Sequence, residues 1–195
     1  MRGILRNKAR AMHVATTPLP GLMVLRPCRI EDGRGFFSES YNRRRLAEAG
    51  IQTDFVQDNL SLSKADGTLR GLHFQRQPFA QAKLIGVLKG AALDVVVDLR
   101  RSSSTFGRHF SIVLSEAEGN QLFVPVGFAH GFVTLMPDTL VAYKASAYYS
   151  PEHDAGIRFD DSGLGIDWGV ASNTLVVSER DQALPSFDPK AEYFA

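Results

Sequence analysis

Short apolar runs of β type alternate with turn residues along most of the chain. The pattern predicts strands at residues 22–25, 36–41, 55–63, 83–88, 93–99, 110–114, 121–124, 131–135 and 140–149. Turn-forming pairs such as Asp66-Gly67 and Pro137-Asp138 separate these runs, as expected between strands. One helix is predicted at residues 42–49, which Asn42 can cap and Gly50 can end. Many short strands with few short helices predict an all-β jelly roll or sandwich.

Strand parity predicts what each face contacts, because successive side chains point to opposite sides. One face of residues 141–149 carries small side chains beside two tyrosines, which indicates a lined cavity. Its members are Val141, Tyr143, Ala145, Ala147 and Tyr149. One face of residues 55–63 is polar and consists of Gln57, Asn59, Ser61 and Ser63. In residues 93–99 one face of the strand is entirely apolar, and the opposite face carries Asp94, Val96 and Asp98. Lys83 shares its face with Ile85 and Val87, so a cation is predicted to point into an apolar interior.

Length and composition limit the domain count and the class of partner. The 195 residues suit one domain at 12–195. A basic tail at 1–11 is expected to be flexible, and Met12 is a candidate natural start. The net charge of +1 argues against a nucleic-acid partner. No apolar run reaches the roughly 20 residues of a membrane span. Cys28 is the single cysteine, which excludes an intrachain disulfide and favours a reducing, cytoplasmic location.

Residues 67–75 contain the first group of side chains that could take part in catalysis or binding, namely Arg70, His73 and Gln75. Arg70 and His73 have opposite parity and would face apart in a regular strand. Gly71 between them could supply a bulge that re-aims one of them. On this segment alone, a half-buried histidine with a satisfied hydrogen bond is favoured over a catalytic base, because a site needs convergent groups.

Residues 125–132 contain the pattern P-x-G-x-x-H, which ends at His130. This spacing resembles half of the metal signature of the cupin jelly rolls. The other half would be H-x-H, but the chain reads His73-Phe74-Gln75, and two histidines cannot supply the ligands of a catalytic metal. The sequence therefore predicts a cupin-like barrel without a metal and without a cofactor. The remaining histidines, His13, His109 and His153, are expected to be solvated.

The motifs together resemble the dTDP-4-dehydrorhamnose 3,5-epimerase family from about residue 12 almost to the C-terminus. The matching blocks are residues 32–41, 55–59, 69–75, 81–84, 94–100, 125–132, 143–151 and 178–181. The resemblance implies inversion of C3 and C5 of a dTDP-linked 4-keto-6-deoxyglucose, which gives the L-rhamnose precursor. It also implies a homodimer in which each nucleotide site receives residues from the neighbouring subunit.

The resemblance assigns roles to individual positions. His73 matches the catalytic base, Asp181 its carboxylate partner, Tyr143 the general acid and Lys83 the cation near the C4 oxygen. Tyr149 matches the aromatic residue that stacks on thymine. Further positions that match contacts to the nucleotide sugar are Arg34, Glu39, Gln57, Asn59, Arg70, His130, Asp154 and Arg180. Without the resemblance, the tyrosines would be read as packing residues and the arginines as surface charges.

The chain departs from the family pattern at three places, and three alternative functions remain open. Asp154 stands where relatives have glutamate, Arg180 where they have lysine, and Trp168-Gly169 where Trp-Pro is frequent. A single-centre epimerase is a close variant that would invert only one of the two carbons. A metal-dependent cupin oxygenase would need the absent histidine. A non-catalytic sugar-nucleotide sensor would need no base and acid on opposite sides of the sugar.

Overall fold

The computed structural model describes residues 12–194, so the predicted basic tail lies outside the described residues. Within that range the strands are β1 (His13–Thr16), β2 (Met23–Arg26), β3 (Arg29–Asp32), β4 (Gly35–Ser38), β5 (Gln57–Ser63), β6 (Thr68–Gln75), β7 (Lys83–Lys89), β8 (Ala91–Asp98), β9 (His109–Ser115), β10 (Gln121–Val124), β11 (Phe128–Thr134), β12 (Thr139–Ala145), β13 (Asp154–Gly156) and β14 (Val176–Val177). The helices are α1 (Arg43–Glu48) and α2 (Glu179–Gln182), with 3-10 turns at Pro151–His153 and Ser172–Thr174. The expected all-β fold with few short helices is confirmed. None of the helices among residues 12–194 has the length and hydropathy of a membrane span.

Two sheets form the body of the fold. The first has the order β1-β2-β10-β7-β12-β5, and the second has the order β13-β6-β11-β8-β9. Strand β14 pairs in parallel with β6, while β3 and β4 form a separate hairpin. Strands that are distant in sequence are neighbours in both sheets, as expected of a jelly roll.

Three apolar layers hold the sheets together. The interior between the sheets contains Ile85 and Val87 of β7 with Val96 of β8. The outer face of the second sheet packs against the C-terminal segment, through residues such as Trp168 and Phe194. The outer face of the first sheet is covered by α1 through Leu46 and the residues after it. Each large side chain buried in this way stabilises the fold by about 1.5–3 kcal/mol. The short helix α2 contacts β6 of the second sheet.

Two predicted elements can be compared closely with the structure. Asn42 caps α1 as predicted, because its side-chain oxygen accepts hydrogen bonds from the backbone of Arg44 at 3.0 Å and of Arg45 at 3.3 Å. The predicted strand at 140–149 is too long, since β12 ends at Ala145. Beyond it, the backbone N–H groups of residues 149 and 150 donate to the side-chain oxygens of Gln57 and Gln75 instead of to a neighbouring strand. Tyr149 therefore does not continue the face of Tyr143.

The edge strand β5 has its apolar side facing outwards. Its inward row is the predicted polar row, and Ser63 within it is 2% exposed. The alternate residues Leu60 and Leu62 are 70% and 53% exposed. This arrangement gives the interior a polar wall and leaves an apolar strip on the surface.

Candidate active site

A β-bulge in β6 brings Arg70 and His73 to one cavity. Along β11, His130 pairs with His73 and Phe132 pairs with Arg70, so three steps of β6 oppose two steps of β11. Gly71 lies in the bulge with φ of 133°, and a Cβ there would lie 2.5 Å from the Cα of Gly131. Two glycines are therefore needed for this close approach of the strands. The predicted bulge at Gly71 is confirmed.

The cavity, of about 370 Å³, contains all four predicted catalytic side chains. It also contains several of the predicted substrate contacts. Its lining consists of Asn59, Leu60, Ser61, Arg70, His73, Lys83, His130, Phe132, Tyr143, Ser178, Arg180 and Asp181.

The His73 imidazole is held by the buried carboxylate of Asp181. His73 Nε2 lies 2.7 Å from Asp181 Oδ1, and Asp181 is 3% exposed. The backbone N–H of Gly71 donates to Oδ2 at 3.2 Å, so the bulge also anchors the carboxylate. Burial raises the pKa of Asp181, but the hydrogen bond and charge of His73, the Gly71 N–H and the charge of Arg180 outweigh burial and lower that pKa. An anionic Asp181 accepts the Nε2 proton, which leaves Nδ1 of a neutral His73 as a proton acceptor.

Lys83 points into the interior from β7, as its parity predicted. Burial lowers the pKa of its ammonium from 10.5 to about 8, against the opposing charges of Asp154 and Asp94. Its Nζ lies 5.8 Å from the centre of the Tyr143 ring. None of the ion pairs among residues 12–194 involves Lys83. The ammonium can therefore interact with an anionic oxygen in the cavity.

Tyr143 lies opposite Ile85 of β7 and Asn59 of β5, in the wall of the same cavity. Burial raises the pKa of its phenol, the charge of Asp154 raises it further, and the charge of Arg70 opposes both. The hydroxyl is therefore protonated at neutral pH and can donate a proton.

A chain of hydrogen bonds extends from the cavity to Tyr149. The Tyr149 hydroxyl donates to Asp154 Oδ2 at 2.9 Å, and Arg180 Nη2 contacts the same oxygen at 2.6 Å. On the other side, the Tyr149 N–H donates to Gln57 Oε1, and Gln57 Nε2 donates to Asn59 Oδ1 at 3.0 Å. Gln57, Tyr149 and Asp154 thus adjoin the cavity without lining it. The two residues that depart from the family pattern, Asp154 and Arg180, pair directly with each other.

Arg34 and Glu39 lie apart from the cavity of the single chain. Arg34 pairs with Asp32 at 2.6 Å in the exposed β3–β4 hairpin. Glu39 pairs with Arg45 at 2.9 Å, next to α1.

The structure adds Asp94, which was not among the predicted site residues. Its Oδ2 lies 2.9 Å from His130 Nε2, and both side chains are buried. A carboxylate in the middle of the otherwise apolar run of β8 was the available signal in the sequence. Among residues 12–194, no three His, Cys, Asp or Glu side chains are grouped so as to hold a metal ion.

Comparison with known proteins identifies the family. The family model described as dTDP-4-dehydrorhamnose 3,5-epimerase matches residues 16–189. The chain belongs to the dTDP-4-dehydrorhamnose 3,5-epimerase family. The predicted family and the predicted enzyme class, an isomerase, are therefore confirmed.

Individual members of the epimerase family are similar over nearly the whole chain. The dTDP-4-dehydrorhamnose 3,5-epimerase of Sinorhizobium fredii is 46% identical over 179 residues, which cover 90% of this chain and 89% of that protein. The crystal structure of the Bacillus anthracis enzyme, with TDP and PPi bound, superposes with a TM-score of 0.88 at 48% identity and covers 91% of this chain and 100% of that one. The Legionella pneumophila enzyme, in complex with dTDP-4-keto-L-rhamnose, gives a TM-score of 0.84 at 39% identity and covers 91% and 99%. These superpositions confirm the predicted cupin-like fold.

Proposed function

We propose that this chain inverts C3 and C5 of dTDP-4-dehydro-6-deoxy-D-glucose, which gives dTDP-4-dehydro-L-rhamnose. The reaction proceeds by proton abstraction and reprotonation through an enolate. The observation that carries the proposal is the convergence of His73, Lys83 and Tyr143 on one cavity. Lys83 carries an ammonium with a pKa of about 8, and the raised pKa of Tyr143 keeps its phenol protonated, as their steps require.

His73 acts as the base in the first step. The hydrogens on C3 and C5 are acidic because both carbons flank the C4 ketone. Nδ1 takes one of these protons while Asp181 orients the ring and stabilises the imidazolium that forms. A positioned base contributes roughly 10²–10⁴-fold to the rate. A second group must therefore stabilise the charge that remains on the sugar.

Lys83 stabilises the enolate oxygen. Loss of the proton places negative charge on the C4 oxygen, and the Lys83 ammonium is the cation on the interior face of β7. A positioned donor of this kind lowers the barrier by about 2.7–4 kcal/mol. The apolar neighbours Ile85 and Val87 exclude water, which strengthens the interaction.

Tyr143 returns a proton on the opposite side of the sugar. Inversion requires the new hydrogen to arrive on the face that lost none, so the donor must lie across the ring from His73. The protonated phenol of Tyr143 is the candidate, since Tyr143 and His73 belong to different sheets. The two side chains line the same cavity from facing walls.

Tyr149 and the charged residues around it hold the nucleotide. The Tyr149 ring, 54% exposed, offers a stacking surface for a base. Arg70 and Arg180 supply guanidinium groups that suit a diphosphate. Asn59 Nδ2 has no hydrogen-bond partner among the described residues and is a further donor for the ligand. The Legionella relative, which was solved with a dTDP-linked 4-keto sugar, supports this assignment.

Deuterium exchange tests the activity. Incubation of the protein with the dTDP-4-keto sugar in deuterated water is expected to place deuterium at both C3 and C5, because each carbon passes through an enolate. Nuclear magnetic resonance of the product measures the label at each carbon. The absence of label at both carbons would rule out the proposal, and label at one carbon would identify a single-centre epimerase.

Two further measurements separate the epimerase from the sensor and the oxygenase. A sensor would bind dTDP with zero turnover. An oxygenase would carry a metal, which elemental analysis of the purified protein detects.

We infer that two copies of the chain form a dimer. Leu60 and Leu62 leave an apolar strip on β5, and the β3–β4 hairpin exposes Phe36 and Phe37 by 56% and 67%. Large apolar side chains exposed together on a strand and on a hairpin are typical of an interaction site. A partner that covers it would bring its own hairpin, with Arg34 and the nearby Glu39, towards the nucleotide. This accounts for two predicted contacts that lie apart from the cavity in one chain.

The substitution Leu60→Asp is expected to weaken the dimer about 10–100-fold, because it removes the burial of one leucine and adds a charge. Sedimentation equilibrium of the wild type and the variant measures the dissociation constant. Leu88→Asp is the matched control, since Leu88 is 55% exposed on β7 and lies outside the strip. A Leu60→Asp variant that dimerises like the wild type would contradict the assignment of this surface.

A further inference from the structure

Asp94 and Asp98 are buried carboxylates on the same face of β8, with very different hydrogen bonding. They are 1% and 0% exposed. Both oxygens of Asp98 accept hydrogen bonds, from the Arg100 guanidinium and from two hydroxyl groups. Asp94 contacts only His130 Nε2, through Oδ2, and its Oδ1 has no hydrogen-bond partner among the described residues. Asp98 therefore completes a structural network, whereas Asp94 does not.

The Asp94–His130 pair has no evident benefit for stability. A buried polar atom without a partner costs about 1–3 kcal/mol, and more when the group is charged. Replacing a buried ionic pair by apolar side chains is often neutral or stabilising. The pair nevertheless stands at the cavity, because His130 lines it and lies directly opposite His73 across β6 and β11. Its position points to a role in the site.

The contact with Asp94 determines what His130 can offer to a ligand. A carboxylate only accepts hydrogen bonds, so the proton of the neutral ring lies on Nε2. Nδ1 is then an acceptor with no proton to donate. Lys83 has the opposite character, since an ammonium donates and never accepts. His130 Nδ1 therefore offers the cavity only an acceptor, and the Lys83 ammonium offers it only donors.

We propose that Asp94 is a positioning residue, which holds His130 in the Nε2–H tautomer so that Nδ1 accepts a hydrogen bond from a hydroxyl of the sugar. This inference rests on the proposed function and deepens it. A ketone oxygen repels an acceptor and is attracted to a donor, so the sugar binds with a hydroxyl towards His130 and its ketone towards Lys83. C3 and C5 flank the ketone, and both come within reach of His73 only when the ring is held in this orientation.

The substitution Asp94→Asn tests the proposal, with Asp98→Asn as the matched control on the same strand. In Asp94→Asn, kcat/KM is expected to fall about 10–100-fold, because a small misplacement of the sugar is costly. The ratio of deuterium at C3 to deuterium at C5 is expected to change, since the two carbons are no longer presented equally. The affinity for dTDP, which lacks the 4-keto sugar, is expected to stay as in the wild type. Asp98→Asn is expected to lower thermal stability and to keep the wild-type ratio.

The ratio separates a role in the site from a structural one. A smaller folded fraction lowers the total exchange but leaves the ratio of the two labels unchanged. An Asp94→Asn protein with the wild-type ratio therefore overturns the proposal, whatever its total activity. Exchange by the wild-type protein at both carbons shows independently that the proposed function stands.

Nitrogen-15 spectra of the wild-type protein test the tautomer directly, even if Asp94→Asn fails to fold. The His130 signals are assigned by their loss in His130→Gln. The expected spectrum has a protonated Nε2 and an unprotonated Nδ1. A proton on Nδ1 overturns the proposal.

Discussion

Replacing His73 by alanine is expected to lower deuterium incorporation at C3 and C5 by about 10²–10⁴-fold, to the limit of detection. Nδ1 of His73 is the proposed proton acceptor, whereas Nδ1 of His130 is assigned to a hydroxyl of the sugar rather than to C3 or C5. The affinity for dTDP is expected to survive, since the proposed partner of His73 is the keto sugar and not the nucleotide. Nuclear magnetic resonance of the exchanged sugar and calorimetry with dTDP measure the two effects.

His153→Ala is the matched control for this prediction. The His153 ring contacts Ser150 and Phe79, away from the cavity lining, so its loss leaves the acid–base groups in place. Exchange at the wild-type rate in His73→Ala would remove His73 from the role of base. A loss of the same size in His153→Ala would show that the effect is structural.

Replacing Lys83 by methionine is expected to lower kcat by about 10²–10³-fold, which corresponds to the 2.7–4 kcal/mol of a single oxyanion donor. Methionine keeps the length and the apolar contacts of the lysine stem beside Ile85 and Val87, so the interior stays filled. Steady-state kinetics with the dTDP-4-keto sugar measures kcat and KM separately. The loss is expected mainly in kcat, because the charge of the enolate exists only after proton abstraction.

Two further variants sharpen the test of Lys83. Lys89→Met, at the exposed end of the same strand, is expected to keep the wild-type kcat. The pKa of Lys83 is lowered to about 8, so kcat/KM of the wild type should fall as the pH rises through 8 and the ammonium is lost. Lys83→Arg stays charged, and its alkaline decline should move to higher pH. A Lys83→Met enzyme with wild-type kcat would contradict the assignment.

The sequence predicts the strands where local signals agree. The prediction at residues 121–124 matches the bounds of β10, that for β7 is one residue short at one end, and that for β9 is one residue short at each end. The short strands β13 and β14 were missed because they have three and two residues and pair with β6 from far along the chain. The end of β12 was also missed, because glutamine side chains from other strands satisfy the backbone beyond it.

The site is predictable where one segment contains the signal. Gly71, which lies between Arg70 and His73, predicts the bulge that turns both side chains to one cavity. Asp94 was not predicted, because its partner His130 becomes a neighbour only through the register of β8 and β11. Arg34 and Glu39 lie apart from the cavity of one chain, and only the proposed dimer would bring them to a nucleotide.

The carboxylate that orients the base comes from far along the chain. Asp181 lies 108 residues after His73, on a short helix that the C-terminal segment places beside β6. During synthesis on the ribosome, strands β1 to β12 are all made before this helix. A nascent barrel can therefore contain its lysine and its tyrosine while the histidine still lacks an orienting anion. Competence for acid–base chemistry is among the last properties that the growing polypeptide acquires.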